Sequence, residues 1–210
     1  RPGLLKNIAN MYLMKDGTAF TDKPGWQEMQ FIEETAGRDP RLAQSIRTPG
    51  YTRIGQQDVL PPDFGVTVTG YQPVKFVQDP TSYNGNNDRI DSSACDLPVY
   101  RLGEVLLIYA EALAELGTLT QDDLDISVNK LRDRVGMPHL DLAKANANPD
   151  WYLASNDYGY PNVAGANKGV ILEIRRERAI ELLQEGTRLE DLCRWKAGPS
   201  IDQAITGMYF

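Results

Sequence analysis

Leu102, Val105, Leu106, Tyr109, Ala110, Leu113 and Leu116 recur at intervals of three and four, the period of one face of an α-helix. Gly117 follows at once and supplies a C-cap. The pattern restarts at Leu124, Val128, Leu131 and Val135. Thr120 precedes it as an N-cap, with Asp122 and Asp123 placed where they complement a helix dipole. "GMP" at 136–138 ends this second run. Two helices joined by a short turn predict an αα-hairpin over residues 100–138, of the kind stacked in tetratricopeptide arrays. A single pair cannot bury both of its faces, and Val105 and Ile108 are left over.

A third helical run opens at Ile171 and continues to Gly186. Thr187 and Glu190 then have capping-box spacing for a last short helix through Trp195. The first 99 residues read differently. After a short helix over 4–14, closed by the turn "KDG", proline and glycine recur too often for long elements. Residues 27–35 fit one short helix. Residues 65–77 alternate apolar and polar around Gly70, which predicts a small hairpin. Residues 140–169 read as a long loop carrying four aromatics, too aromatic for a disordered segment. The fold class is therefore mainly α, with long irregular loops and one small β-hairpin.

Charge narrows the function. The 210 residues carry a net charge of −7, which argues against nucleic acid as a partner because phosphate binding needs a basic face. The longest apolar run, 105–110, is far short of the roughly 20 residues of a membrane helix. His139 is the only histidine, and it follows a helix-ending turn, so histidine-based catalysis and most zinc sites have little to build on. For Cys95 and Cys193, two buried free thiols are preferred to a single bridge.

One charged pattern demands explanation. Glu173, Glu177, Glu181 and Glu185 stand four apart with Arg175, Arg176 and Arg178 among them. Like charges at that spacing repel by roughly 0.2–0.5 kcal/mol per pair on an isolated helix. An acid/base array needs a carboxyl with a raised pKa, which interleaved arginines oppose. A hard cation needs a wrapping oxygen loop rather than a straight ridge. The ridge is therefore read as structural, with Arg178 reaching Glu181 and with Arg101, Arg132, Arg134, Arg188 and Arg194 approaching from neighbouring elements. Glu104 and Asp191 complete the expected ion-pair cluster.

Three segments in order, "PVYRLGEVLLIYAEALAELG", "VNKLRDRVGMPHLDL" and "ILEIRRERAIELLQEGTRLEDLCRWKAG", resemble the C-terminal half of the SusD/RagB family. "YLMKDGTAF" and "GRDPRL" fit the stretch that precedes them there, so the resemblance spans nearly the whole chain. It implies one C-terminal domain over 1–210, built as an α-α superhelix of tetratricopeptide-like pairs whose N-terminal half is absent from this sequence. Its parts would be a loop-rich segment (1–99), the αα-hairpin (100–138), an aromatic and Asn-rich loop (139–170) and the motif helices (171–198). The resemblance further implies a non-catalytic, outer-membrane, cell-surface protein, lipid-anchored through its N-terminal part. Its partners would be an oligosaccharide or polysaccharide and a TonB-dependent transporter, and it would use no cofactor. A peptide-binding or purely structural helical-repeat protein is the alternative.

Sugar sites pair aromatic faces with polar groups that fix orientation. Two loops have that composition. One offers Tyr83, Asn84, Asn87 and Arg89; the other offers Trp151, Tyr152, Asn156, Asp157, Tyr158 and Tyr160. Trp26 and Tyr51 are weaker candidates. The Asn- and Asp-rich "YNGNNDRID" also permits calcium, but it lacks the EF-hand spacing and is better read as turns.

Overall fold

The computed structural model describes residues 3–80, 93 and 95–209. Its elements are helices α1 (Lys6–Met11), α2 (Phe31–Thr35), α3 (Pro40–Ser45), α4 (Leu102–Leu116), α5 (Gln121–Asp125), α6 (Val128–Arg134), α7 (Leu142–Ala147), α8 (Lys168–Glu181) and α9 (Arg188–Arg194). Among the described residues, pairing between extended segments is limited to isolated bridges such as Met14 with Arg38 and Ile46 with Pro73. The chain is mainly helical, as its periodicity predicts.

Helix α8 lies at the centre, packed by α1, α4 and α7. Twelve of its fourteen residues are buried, including Val170, Leu172, Ile174 and Ile180. The approach of α7 depends on one residue type. A Cβ on Gly169 would lie 1.8 Å from the Ala145 carbonyl oxygen, so only glycine lets the two backbones meet.

The "GRDPRL" stretch explains how the loop-rich half attaches. Arg38 donates to the carbonyls of Ala9, Tyr12 and Glu34, tying the ends of α1 and α2 together. Asp39 then N-caps α3, accepting from the Arg41 amide with Pro40 in the first turn. That start aims Arg41 at α8.

Several sequence expectations need correction. The predicted hairpin at 65–77 is not formed. Its backbone groups are used by distant segments: Thr69 O accepts from Met208 N, and Tyr71 O accepts from Leu4 N. Residues 27–35 divide into a 3-10 turn at Trp26–Glu28 and α2. The second arm of the αα-hairpin breaks between α5 and α6, where Ser127 turns its hydroxyl onto the Asp123 carbonyl. Thr120 does cap α5, in a reciprocal box with Asp123. The long loop contains α7, capped by Asp141. Helix α8 begins at Lys168 and stops at Glu181, and Gln184 adopts a positive φ of 62° in the turn that follows. The Thr187–Glu190 capping box is not made, because Thr187 is itself in helical conformation. Both cysteines are free, but Cys193 is exposed and Cys95 half-buried.

Helix α4 ends at Gly117 in the left-handed region, as its sequence demands. Its inward face, however, is rotated from the predicted one. Gly103, Leu107, Ala110, Glu111 and Ala114 are buried. Leu102, Val105, Tyr109 and Leu116 are 70, 54, 40 and 74% exposed. Small residues win the inner face because they let α8 come close, and because Glu111 can then reach Arg194 and the Trp195 indole.

Candidate functional site

Glu173, Glu177 and Glu181 stand on α8, and Glu185 joins them from the following turn. Fully buried Glu177 accepts from Arg132 Nε at 2.6 Å and from Arg41 Nη1 at 2.8 Å. Glu181 takes Arg101 and Arg134, both at 2.9 Å, and Arg41 at 3.3 Å. Glu185 is held by Arg101 at 2.6 Å and by Lys75. Burial alone would push the Glu177 carboxyl up, but Arg132 and Arg41 outweigh it and hold the group at about 2. Burial likewise opposes the charge on Glu185, and Arg101 and Lys75 hold it below the usual carboxylate range. An ionised carboxylate whose lone pairs are already committed cannot serve as a general acid. The ridge is a buried charge network.

Its wiring differs from expectation at five residues. Arg194 pairs with Glu111 and Asp191 rather than with the ridge, and Lys75 is an unexpected partner of Glu185. Arg178 does not reach Glu181; its Nε grips both oxygens of Asp191 at 2.8 and 2.9 Å, and Glu104 lies 3.7 Å from its Nη2. Arg188 donates to the Tyr160 hydroxyl at 2.8 Å instead of joining a carboxylate. Arg41, which joins Glu177 to Asp39, was not anticipated. Its signal was the Asp-Pro helix start just before it.

The aromatic loop sorts its residues by depth. Tyr152 and Tyr160 are core residues, each 1% exposed. Asn10 Nδ2 donates to the Tyr152 hydroxyl at 3.1 Å, and Trp26 meets the Tyr152 ring edge-on at 5.7 Å. Tyr160 packs elsewhere, edge-on against Trp195. Tyr158 is 37% exposed and stacks on Tyr152 with centroids 4.7 Å apart. Trp151 is 50% exposed, and its indole N–H donates to Asp22 at 3.0 Å. Asn156 and Asp157 lie on the surface. Of the weaker candidates, Trp26 is buried, while Tyr51 lies half-buried beneath the Arg47 guanidinium. Tyr83, Asn84, Asn87 and Arg89 lie outside the described residues.

These aromatics form a wall with a cavity on each side. Tyr152, Tyr158 and Trp26 face one of about 560 Å³, which Asn7, Asn10 and the 200–209 tail help to enclose. Trp151 opens onto the other, a polar cleft of about 370 Å³. Arg132, Asp150, Glu173 and Arg176 form the floor of that cleft, so the N-terminal end of the glutamate ridge lies beneath the indole. Arg176 joins Asp150 to Glu173, fixing the floor. Around the rim are Asp16, Asp22, Asp141, Lys144 and Asn148, with exposed His139 held by Asp133 at 2.7 Å. Sequence reading missed this rim, because it combines the "KDG" turn with a helix taken for loop. Among the described residues, no group of three His, Cys, Asp or Glu side chains could hold a metal ion. None of the described helices is long and apolar enough to cross a membrane.

The cleft offers one pinned aromatic face and several oriented polar groups, above floor carboxylates paired with arginines. Solved structures share this architecture. A SusD-like carbohydrate binding protein from Bacteroides fragilis is 28% identical and superposes with a TM-score of 0.69 over 97% of this chain and 37% of its own length. A second SusD-like protein from the same organism, 24% identical, has a TM-score of 0.62 over 94% of this chain and 37% of its own length. No curated protein matches the chain. The chain thus spans little more than a third of either solved relative. The SusD family model matches residues 3–209, nearly the whole chain, and the chain belongs to the SusD family.

Proposed function

We propose that this chain binds an oligosaccharide in the Trp151 cleft and performs no chemistry on it. The observation that carries this reading is the half-exposed indole, fixed by Asp22 above a floor of paired charges. A rigid aromatic face supplies dry contact area at low entropic cost, and the polar rim orients hydroxyl groups. The solved SusD-like carbohydrate binding protein supports the same ligand class. The polypeptide containing this chain works at the outer-membrane surface as the lid of a TonB-dependent transporter, capturing glycan and passing it in. Ligand would favour the closed lid to the extent that it makes more contacts there. The outward apolar face of α4 docks further helices of that longer polypeptide, covering Leu102, Val105 and Ile108.

Calorimetry with an oligosaccharide that binds the wild-type chain tests the site. Trp151→Ala should weaken binding roughly five- to thirtyfold, for a stacking contribution of about 1–2 kcal/mol. Tyr158→Ala, on the other side of the wall, should change it less than about threefold. An unchanged dissociation constant for Trp151→Ala places the ligand elsewhere. Release of reducing ends from the glycan would overturn the non-catalytic reading.

A further inference from the structure

The cleft also carries information about which sugars it accepts, an inference that rests on the glycan reading above. Five carboxylates and three cationic side chains line it. The cations at the floor are already engaged: Arg132 with Glu173 and Glu177, and Arg176 with Glu173 and Asp150. The three rim carboxylates are not neutralised in the same way. Asp16 accepts from the Thr18 hydroxyl and amide at 2.7 and 3.0 Å, Asp22 from the Trp151 indole, and Asp141 from the Lys144 amide at 2.8 Å. Their hydrogen-bond donors are neutral groups, so the rim keeps its negative charge. Each carboxylate also retains free lone pairs, because it has about four acceptor positions.

A second feature points inward. Arg176 is only 3% exposed, lines the floor, and its Nε has no hydrogen-bond partner. That atom is itself shielded from solvent, so it stays beneath the floor rather than serving as a contact for a ligand. The cleft therefore presents free acceptors at its rim above floor guanidinium groups already committed to carboxylates.

We infer that the cleft selects uncharged, hydroxyl-rich sugars and rejects uronic-acid and sulfated ones. A sugar hydroxyl carries a proton that it can give to Asp16, Asp22 or Asp141. A carboxylate or sulfate can only accept. Against Asp16, Asp22 and Asp141 it makes no hydrogen bond and meets like charge that outnumbers the one rim lysine, Lys144, a juxtaposition that disfavours the wrong partner. The chain's net charge of −7 adds repulsion during approach.

The test uses matched pairs: glucan, xylan, mannan and galactan, each beside its own sulfated derivative, titrated against the full 210-residue chain at about 0.01 and 0.15 M ionic strength. The neutral member of a binding pair should win at least tenfold at low salt. That ratio should shrink at higher salt, where the screening length falls from about 30 to 8 Å. It should also shrink at least threefold in the double variant Asp16→Asn, Asp141→Asn, whose amide oxygens keep the existing turn and cap bonds. Sulfated members that bind as well as or better than the neutral ones would overturn the charge selection while leaving glycan binding intact. A preference unmoved by salt and by the double variant would be steric, and would equally overturn it. If no member of any pair binds, the glycan reading fails and takes this inference with it.

Discussion

Helices α4 and α8 are nearly equal in length, fifteen and fourteen residues, and they invert the usual relation between polarity and burial. The apolar helix leaves Leu102, Val105, Ile108 and Leu116 half or more exposed. The charged helix buries Arg175, Arg176, Glu177, Arg178 and Glu181. Position decides this. Helix α8 is packed by α1, α4 and α7, and complementary charges reach it from further elements: Arg41 from α3, Arg132 and Arg134 from α6, Asp191 from α9. Helix α4 has the core on one side only. A charged side chain can be buried when its partners arrive with the fold, and an apolar one stays outside when nothing arrives to cover it.

The largest effect should come from removing the centre of the network. Glu177→Ala leaves Arg41 and Arg132 buried around an absent counter-charge, both 3% exposed. Breaking a buried pair typically costs about 3–5 kcal/mol, so denaturant unfolding should lose at least that much, or the variant should fail to fold. Arg178→Ala should cost somewhat less, since Asp191 keeps Arg194 at 2.8 Å. If either variant unfolds at the wild-type midpoint, α8 is solvated in solution and the contrast with α4 collapses.

Acid should dissolve the network next. Glu177 titrates at about 2 in the fold against an ordinary 4.5, so folding favours its ionised form. Its contribution is complete above about pH 4.5 and is lost as pH falls through about 2. Glu111 shares the direction: burial opposes its charge, but Arg194 and the Trp195 indole hold it below the usual range. Stability should therefore fall steeply between pH 4.5 and 2, and the slope should be shallower in Glu177→Gln. An acid limb of equal steepness in the two proteins would assign the transition to other carboxylates.

The two helices also differ in how readable they were. The existence of both followed from periodicity, and Gly117 fixed the end of α4. Periodicity could not choose the inner face of α4, because Leu107 is the only large apolar residue buried on it, and Gly103, Ala110 and Ala114 carry little hydrophobic signal. The structural meaning of the glutamate ridge was legible from its interleaved arginines, yet its partners were not. Arg178 was assigned to Glu181 by spacing along one helix, whereas the bond to Asp191 depends on where α9 docks. The aromatic loop shows the same limit. Composition offered Trp151, Tyr152, Tyr158 and Tyr160 alike as candidates and could not reveal that Tyr152 and Tyr160 would be spent on the core. The cleft rim was invisible, since Asp16 and Asp141, far apart in sequence, come to one cleft only in the folded chain.

The smallest effect should come from the outer face of α4, and its smallness is the informative part. Replacing Val105 and Ile108 by lysine removes apolar groups that are 54 and 51% exposed in this chain. Surface changes of that kind usually fall within about 0.5 kcal/mol. Lysine is also a better helix former than either β-branched residue, and its stem can keep part of the apolar contact. The double variant should therefore melt within a few degrees of wild type, and it should self-associate less in sedimentation at high concentration. The same pair placed in the longer polypeptide should destabilise it by several kcal/mol, because there lysines would be pressed into a buried helix–helix contact. A large loss already in the 210-residue chain would mean that a second copy covers this face in solution, and the apolar helix would then be buried after all.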